Sequence, residues 1–402
     1  MRLKEDYLIT QIHNHFYLLP SGQSRASFCP PYEINEIGSY ICRLLEKEIS
    51  KEEIINSCFN FYEISKKEAA RAQKIIDDFL FFLKNAELLE NNTIASLPSQ
   101  KHKFTSFTPC EYLDIGNIRL GFSRPLNEVK DWFKGFEIKN LKEIKQIQDT
   151  EKSMYPLNID LKVSKDYTPE GKTLIFTKDL KITAVEGGYF LEFCAFNTVK
   201  YGFISNSGDY GEIICEKLPD SREDREELFN ALRHFYLFAS EQLNEFALHS
   251  ASVLYEGKLY LFSAMSGVGK STQAKLWEKH LGATQINGDL NLICNNNDSY
   301  ETIGIPWCGT SEINSPLSHK IGAVFMIKQG TNEEINLLST HRAALSLSQR
   351  SVSPAWNKEM LQKNITFFEA FAQHIPVFEM YCTPTENAVK AALKALQDSD
   401  RL

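Results

Sequence analysis

The sequence predicts a mixed α/β chain: an α/β nucleotide-binding core in the C-terminal third, a β-rich segment before it and a small α+β unit at the N-terminus. Three observations carry this. LYLFSAMSGVGKSTQAKLW passes from an apolar strand through a turn of small residues to Lys270–Ser271 and a helix. Between about 110 and 220, short strand-like runs (TLIFT, LKITAVE, YFLEFCAF, VKYGFIS) alternate with turn signals such as GG and NSGD. Near the N-terminus, EAARAQKIIDDFLFFLKNAELL sets Ala72, Ile75, Ile76, Phe79, Leu80 and Leu83 at helical spacing.

In chain order, residues 12–35 read as strands and 36–89 as helices, with Ser50 and Glu53 in ISKEEIINSCFNFY forming a capping-box pattern. Residues 1–90 are therefore taken as one domain. Residues 91–108, polar and aperiodic around Pro98, read as a linker. The β-rich segment spans 109–245 and ends in an amphipathic helix over 220–246, and 246–402 alternates strands with helices, including the apolar run IGAVFMI.

With 402 residues the chain exceeds one comfortable core, so two or three domains are expected. Lys+Arg 44 against Asp+Glu 52 gives a net charge of -8, which provides no field for nucleic acid or anionic membrane; neither is an expected partner. The nine cysteines form no CxxC pair, so zinc and redox chemistry are not indicated and a reducing compartment is. The N-terminus MRLKEDYLITQI lacks a signal-peptide pattern, and no apolar run approaches the ~20 residues of a membrane span; a cytoplasmic protein is expected.

The chemistry concentrates at residues 263–271. Ser266, Gly267, Val268, Gly269, Lys270, Ser271 and Thr272 are the residues expected to hold a nucleotide. Glycines let backbone N–H groups approach phosphates, the following helix presents its positive end, and the lysine reaches the β and γ oxygens. Ser271 is the expected Mg²⁺ ligand, with ATP as nucleotide. Ala264 stands where the first glycine of GxxxxGK[ST] belongs.

His249 in LHSASV lies 21 residues before Lys270, and Asp289 in INGDL 19 after it. Phosphoryl transfer to a hydroxyl needs a carboxylate to orient or deprotonate the acceptor. The pattern LHSASV…SGVGKST…INGDLNLI…GIPWCGTSEIN resembles the P-loop kinases of the HPr kinase and phosphoenolpyruvate carboxykinase type over about residues 245–396. The resemblance implies an HPr-kinase-type core in which Asp289 is base and metal ligand, Lys270 stabilises charge and His249 supports the phosphate. Those kinases carry two adjacent aspartates; here Gly288 precedes Asp289, so one carboxylate covers both tasks. The residues alone also allow a core histidine at 249 and a turn aspartate at 289. Trp307, Gly309, Thr310 and Ser311 form either an acceptor loop or a turn with a core tryptophan. Glu312 is a further ligand or a solvated loop glutamate, nucleophilic catalysis by Cys308 is not expected, and Arg342 and Arg350 read as surface arginines.

The N-terminal segment resembles PqqD, the small winged-helix-like α+β domain that recognises precursor peptides. Asn35 and Gly38 in INEIGSYI, the ISKEEII helix start and the terminal amphipathic helix carry the resemblance. It implies a leader peptide adding a strand beside Tyr17, Leu18 and Leu19 and packing on Ile76, Phe79, Leu80 and Leu83. SGQSRASFCPPY is longer than the family hairpin. Together the resemblances imply a kinase acting on a Ser or Thr hydroxyl of a ribosomally made precursor, similar to lasso-peptide kinases, and HPr kinases suggest self-association. A kinase with a small-molecule acceptor, or a nucleotide-gated scaffold that delivers a precursor, remains open.

Overall fold

Contacts in the computed structural model divide the chain into two units, Met1–Pro98 with Ala355–Gln362, and Ser99–Pro354 with Lys363–Leu402. The structure describes residues 1–90, 107–127, 129–136, 138–140, 154–164, 170–297 and 299–399. Most of the expected linker, residues 91–106, lies outside the described residues.

The first unit contains β1 (Arg2–Leu3), β2 (Tyr7–Ile12), β3 (His15–Pro20), α1 (Gly22–Ala26), β4 (Tyr32–Ile34), α2 (Glu36–Leu44), α3 (Lys51–Phe61), α4 (Ala69–Asn85) and β5 (Leu89–Glu90). Strands β2, β3 and β4 make an antiparallel sheet with β3 in the middle, and β1 pairs with β5. Helix starts follow local chemistry: Asn35 Oδ1 accepts from Gly38 N at 2.8 Å, and Ser50 with Glu53 closes a reciprocal capping box. The α4 stripe divides. Ile76, Leu80 and Leu83 join Leu18, Ile41 and Ile54 in the core, whereas Ile75, Phe81 and Phe82 are exposed. The short helix α1 was not foreseen, because GQSRA has no apolar period; Ser24 N donating to Asp6 Oδ2 at 2.8 Å ties it down.

The second unit begins with β6 (Glu111–Ile115), β7 (Ile118–Phe122), β8 (Ile138–Asn140), β9 (Tyr155–Val163), β10 (Lys172–Phe176), β11 (Lys181–Val185), β12 (Gly188–Glu192), β13 (Val199–Ser205) and β14 (Tyr210–Cys215). They form one sheet in the order β10-β11-β12-β13-β14-β9-β7-β6-β8, parallel only where β9 meets β14 and β7. Next comes α5 (Arg222–Gln242), started by a Ser221–Asp224 capping box. α5 is amphipathic as expected over its first half, with Glu223, Arg225 and Glu226 exposed and Leu228, Ala231 and Leu232 buried, and is buried on every side from Phe235 to Glu241. Phe235 sits over Gly202 and Gly211, where a Cβ would lie 2.7 and 2.6 Å from its ring, so the two strand glycines let the helix seat on the sheet. On its other side α5 meets the second sheet.

That sheet comprises β15 (Phe246–Tyr255), β16 (Lys258–Ser263), β17 (Thr284–Asn287), β18 (Leu290–Asn296), β19 (Ser299–Ile303), β20 (His319–Gln329), β21 (Glu334–Leu337) and β22 (Val377–Cys382). Its order is β16-β15-β18-β19-β20-β22-β21, with β17 on β15 and a further β16–β20 pairing that closes five strands into a ring. β16, β20 and β22 are mutually parallel in sequence of pairing, as an α/β core requires. Helices α6 (Lys270–Leu281), α7 (Thr340–Arg350), α8 (Lys358–His374) and α9 (Glu386–Ser399) complete the chain. Trp277 of α6 is fully buried against Tyr260, Phe262 and Phe325. Among the described residues no helix is long and apolar enough to cross a membrane.

Burial of α5 carries a charge cost. Glu241 is 5% exposed, its Oε1 has no hydrogen-bond partner, and desolvation raises its carboxyl well above the ordinary range despite Lys363. A raised acid stabilises the fold fully below the unfolded value of about 4.3 and loses that contribution as pH rises through the folded value. Glu241→Gln should therefore raise the melting temperature at pH 8 relative to wild type, with the gain vanishing near pH 4, as scanning calorimetry at both pH values would read.

Candidate active site

The glycine-rich loop expected to hold phosphates joins β16 to α6 in the second unit. Gly267 (φ 78°) and Gly269 (φ 128°) occupy backbone regions that side chains avoid, and a Cβ on either would meet open space. Glycine is needed here for conformation, not for room. Gly269 stands at the N-cap of α6 and has no side chain to cap it, so the first-turn amides keep their positive end for an anion. Ser266, Gly267, Ser271 and Thr272 are exposed, while Val268, Gly269 and Lys270 are half-buried. Ala264 is buried and is not a positive-φ position, so its methyl is accommodated where the motif has glycine.

Three of the sequence-derived residues come together at the mouth of this loop. Lys270 Nζ lies 2.7 Å from His249 Nε2, and His249 Nδ1 lies 3.1 Å from the Asp289 carbonyl and 3.3 Å from its Oδ1. An ammonium can only donate, so Nε2 accepts from Lys270 and the imidazole proton sits on Nδ1, facing Asp289. The ring must be neutral to do this. Burial indeed lowers His249 below the ordinary imidazole value, with Lys270 and Arg350 adding to the shift and Asp289 opposing it. Burial also lowers Lys270, opposed by Asp289 and assisted by Arg350. Arg350, expected at the surface, is thus half-buried and within electrostatic reach of both, whereas Arg342 is exposed.

Asp289 lies in the bend between β17 and β18. Its placement depends on Asn287, whose Oδ1 accepts from Asp289 N at 2.9 Å and Leu290 N at 3.0 Å while its Nδ2 donates to the Trp307 carbonyl at 3.3 Å. Sequence reasoning overlooked Asn287, because an Asn before Gly-Asp reads simply as a turn residue.

The Trp307–Glu312 segment splits in role. Trp307 is 2% exposed, donates from Nε1 to the Phe229 carbonyl at 2.9 Å and packs on Phe133, Phe229 and Tyr236, so it is a core tryptophan and does not line an acceptor loop. Cys308 is buried beside it. Gly309, Thr310 and Ser311 form an exposed single turn of 3₁₀ helix, followed by Glu312 in the left-handed region at φ 56°. This turn presses on the Asp289 bend. A Cβ at Gly309 would lie 2.9 Å from the Asp289 carboxyl carbon, and one at Gly288 would lie 2.1 Å from Ser311 Oγ. Ser311 Oγ donates to the Cys308 carbonyl at 2.7 Å and accepts from Ile313 N at 3.2 Å, which holds it in the space a side chain at 288 would occupy. The single-carboxylate pattern thus has a steric cause. Among the described residues no group of three His, Cys, Asp or Glu side chains gathers to hold a metal without a ligand's help.

The expected peptide-binding residues are placed differently. Tyr17, Leu18 and Leu19 are buried in β3, which pairs with β2 on one edge and β4 on the other, so no strand can be added beside Tyr17 and Leu18. Ile76, Leu80 and Leu83 are core residues, and Phe79 is half-buried. The correction is one of helix phase: the side chains with free surface are Ile75, Phe81 and Phe82, and Phe82 meets Tyr32 of the edge strand β4 with ring centroids 5.5 Å apart.

No family model and no curated protein matches the chain. Among solved structures it is similar to "TbiB1 in Complex with the TbiA(beta) Leader Peptide", at 24% identity over 23% of this chain and 100% of that one, with a TM-score of 0.19. It is also similar to the Hpr(Ser) kinase/phosphatase from Coxiella burnetii, at 8% identity over 39% of this chain and 99% of that one, with a TM-score of 0.24. Both scores are low, so the chemistry of the site rests on the chain's own residues and not on either likeness.

The contact between positions 288 and 311 is open to measurement. Gly288→Ala should cost about 1–3 kcal/mol by overpacking. Adding Ser311→Gly should recover most of that loss, so a double-mutant cycle by chemical denaturation should give a coupling of opposite sign.

Proposed function

We propose that the second unit is a kinase that moves the γ-phosphoryl group of ATP to a Ser or Thr hydroxyl, and that the acceptor belongs to a ribosomally made precursor peptide whose leader is held by residues 1–90. The observation that carries the kinase reading is the hydrogen-bonded chain Lys270–His249–Asp289 at the mouth of a glycine-shaped phosphate loop. Loop amides and Lys270 neutralise the β and γ oxygens. Asp289, one-third exposed, takes the hydroxyl proton as the acceptor oxygen bonds to the γ phosphorus and the bond to the leaving ADP oxygen breaks. His249 holds the two charges in register through a neutral ring.

Mg²⁺ fits this donor set: the exposed Ser271 hydroxyl and the Asp289 carboxylate would hold it together with the nucleotide phosphates, where it supplies charge neutralisation. The peptide reading is supported by the first unit. The β4 edge beside exposed Phe82 offers main-chain pairing and an apolar surface in one place, the two components of strand addition. Holding a leader on the same chain as the kinase raises the acceptor's local concentration, to on the order of mM for a short connection.

Two outcomes are expected. Incubation of Ser- and Thr-containing precursor peptides with wild-type protein, ATP and Mg²⁺ should add the mass of one phosphate, and Asp289→Asn should lose transfer by at least about a hundredfold while binding nucleotide normally; binding without any phosphorylated product would overturn the reading. Transfer should also decline on the acid side with a midpoint below the ordinary imidazole value of about 6.5, because protonated His249 can no longer accept from Lys270. His249→Gln should abolish that acid limb in a pH–rate profile.

A further inference from the structure

The nine-stranded sheet lends no residue to the Lys270–His249–Asp289 chain, yet its topology opens a crevice of its own. β9 runs parallel to both of its neighbours, β7 and β14. The chain leaving β7 next pairs as β8 at one edge of the sheet, and the chain leaving β9 next pairs as β10 at the other. Connections that part in this way from adjacent parallel strands leave a crevice beyond the carboxyl ends, the place where open sheets with parallel strands receive ligands. An open cleft of about 270 Å³ lies there. Its apolar wall is built by Leu161 and Val163 at the end of β9, Leu218 and Pro219 beyond β14, and Leu228 of α5, and Arg124, two residues after β7, closes it. Val163 is 52% and Leu218 44% exposed, so the lip of the cleft is apolar and faces solvent.

Arg124 supplies the charge. It is half-buried and makes no hydrogen bond or ion pair among the described residues. Its place in the chain is fixed, because Ser123 N donates to the Ile159 carbonyl at 3.1 Å and Ser123 Oγ accepts from Leu161 N at 3.0 Å. The neighbouring lysines are already neutralised. Lys162 Nζ lies 2.7 Å from Glu212 Oε1 and 3.4 Å from Asp160 Oδ2, and Lys217 Nζ lies 2.8 Å from both Asp220 Oδ1 and Asp224 Oδ2. One uncompensated guanidinium against an apolar wall matches one negative charge carried on a hydrocarbon body, whereas a dianion brings a second charge that nothing in the cleft offsets. We propose that this cleft binds an apolar monocarboxylate, whose two oxygens take the Arg124 fork while its hydrocarbon body covers Val163, Leu218 and Leu228. A free acid and the C-terminus of a peptide ending in an apolar residue share this chemistry. The inference stands apart from the kinase reading and gives the β-rich segment a ligand.

The test titrates the full chain, without nucleotide, by isothermal calorimetry with isocaproate, isocaproamide, acetate and inorganic phosphate. Wild type should bind isocaproate saturably and at least about tenfold more tightly than the amide or acetate. Arg124→Gln should weaken isocaproate by at least about tenfold and bring it level with the amide, and Arg124→Lys should fall between the two. Leu218→Ser should weaken acid and amide alike. An unchanged melting temperature shows that each variant is folded. The dipeptide Gly-Leu, which has no hydroxyl to accept a phosphoryl group, separates the two sources: binding tighter than that of isocaproate assigns the cleft to a chain terminus, weaker binding to a free acid, and either supports the chemistry. Phosphate bound as tightly as isocaproate, no saturable binding of either acid, or isocaproate binding that survives Arg124→Gln overturns the inference. No phosphoryl transfer enters the readout, so each of these outcomes leaves the kinase reading where it stands.

Discussion

One buried amide organises the candidate site of this protein. Asn287 stands 5% exposed at the end of β17, donates from its own N–H to Ser252 Oγ, and spends its side chain on the Asp289 bend and the Trp307 carbonyl. Each bond is individually modest, about 1 kcal/mol net, but an orphaned buried amide costs more than a formed one returns. Strands β15 and β17 and the segment leaving β19 are thereby tied to one residue. Asp289 meets His249 from the bend that this side chain holds.

The same logic explains how much of the fold was legible. Glycine, lysine and serine of the phosphate loop declare themselves because local backbone conformation demands them, and the structure gives Gly267 and Gly269 the positive φ angles that motif implies. The capping residues Asn35, Ser50 and Ser221 are similarly local. His249 and Asp289, chosen by spacing around the loop, do lie beside Lys270. What stayed hidden depends on contacts distant in sequence. Trp307 looks like a loop aromatic until Phe229 and Tyr236 close over it.

Helix phase was the other blind spot. A stripe of apolar residues tells which face of α4 is sticky, but two adjacent faces carry such residues here. Ile76, Leu80 and Leu83 serve the unit's own core, the adjacent Ile75 and Phe82 remain outside it, and Phe81 stands on the far side of the helix. Periodicity cannot rank the two, since both obey the same 3.6-residue repeat. Likewise Arg233 and Arg350 are indistinguishable from solvated arginines until burial and neighbouring charge are known.

Helix α5 has a consequence for how this architecture is built and inherited. Its aromatic face, Phe235 with Tyr236 and Phe238, is shared between the nine-stranded sheet and the eight-stranded sheet, and Tyr236 donates to the Ile115 carbonyl across that boundary. Removing the β-rich half would strand three large rings in water, each about 1.5–3 kcal/mol of burial forgone. The half that carries the glycine-rich loop is not a transplantable cassette in this chain. Recombination, or an experimenter's truncation, has to move residues on both sides of α5 together or leave neither able to fold.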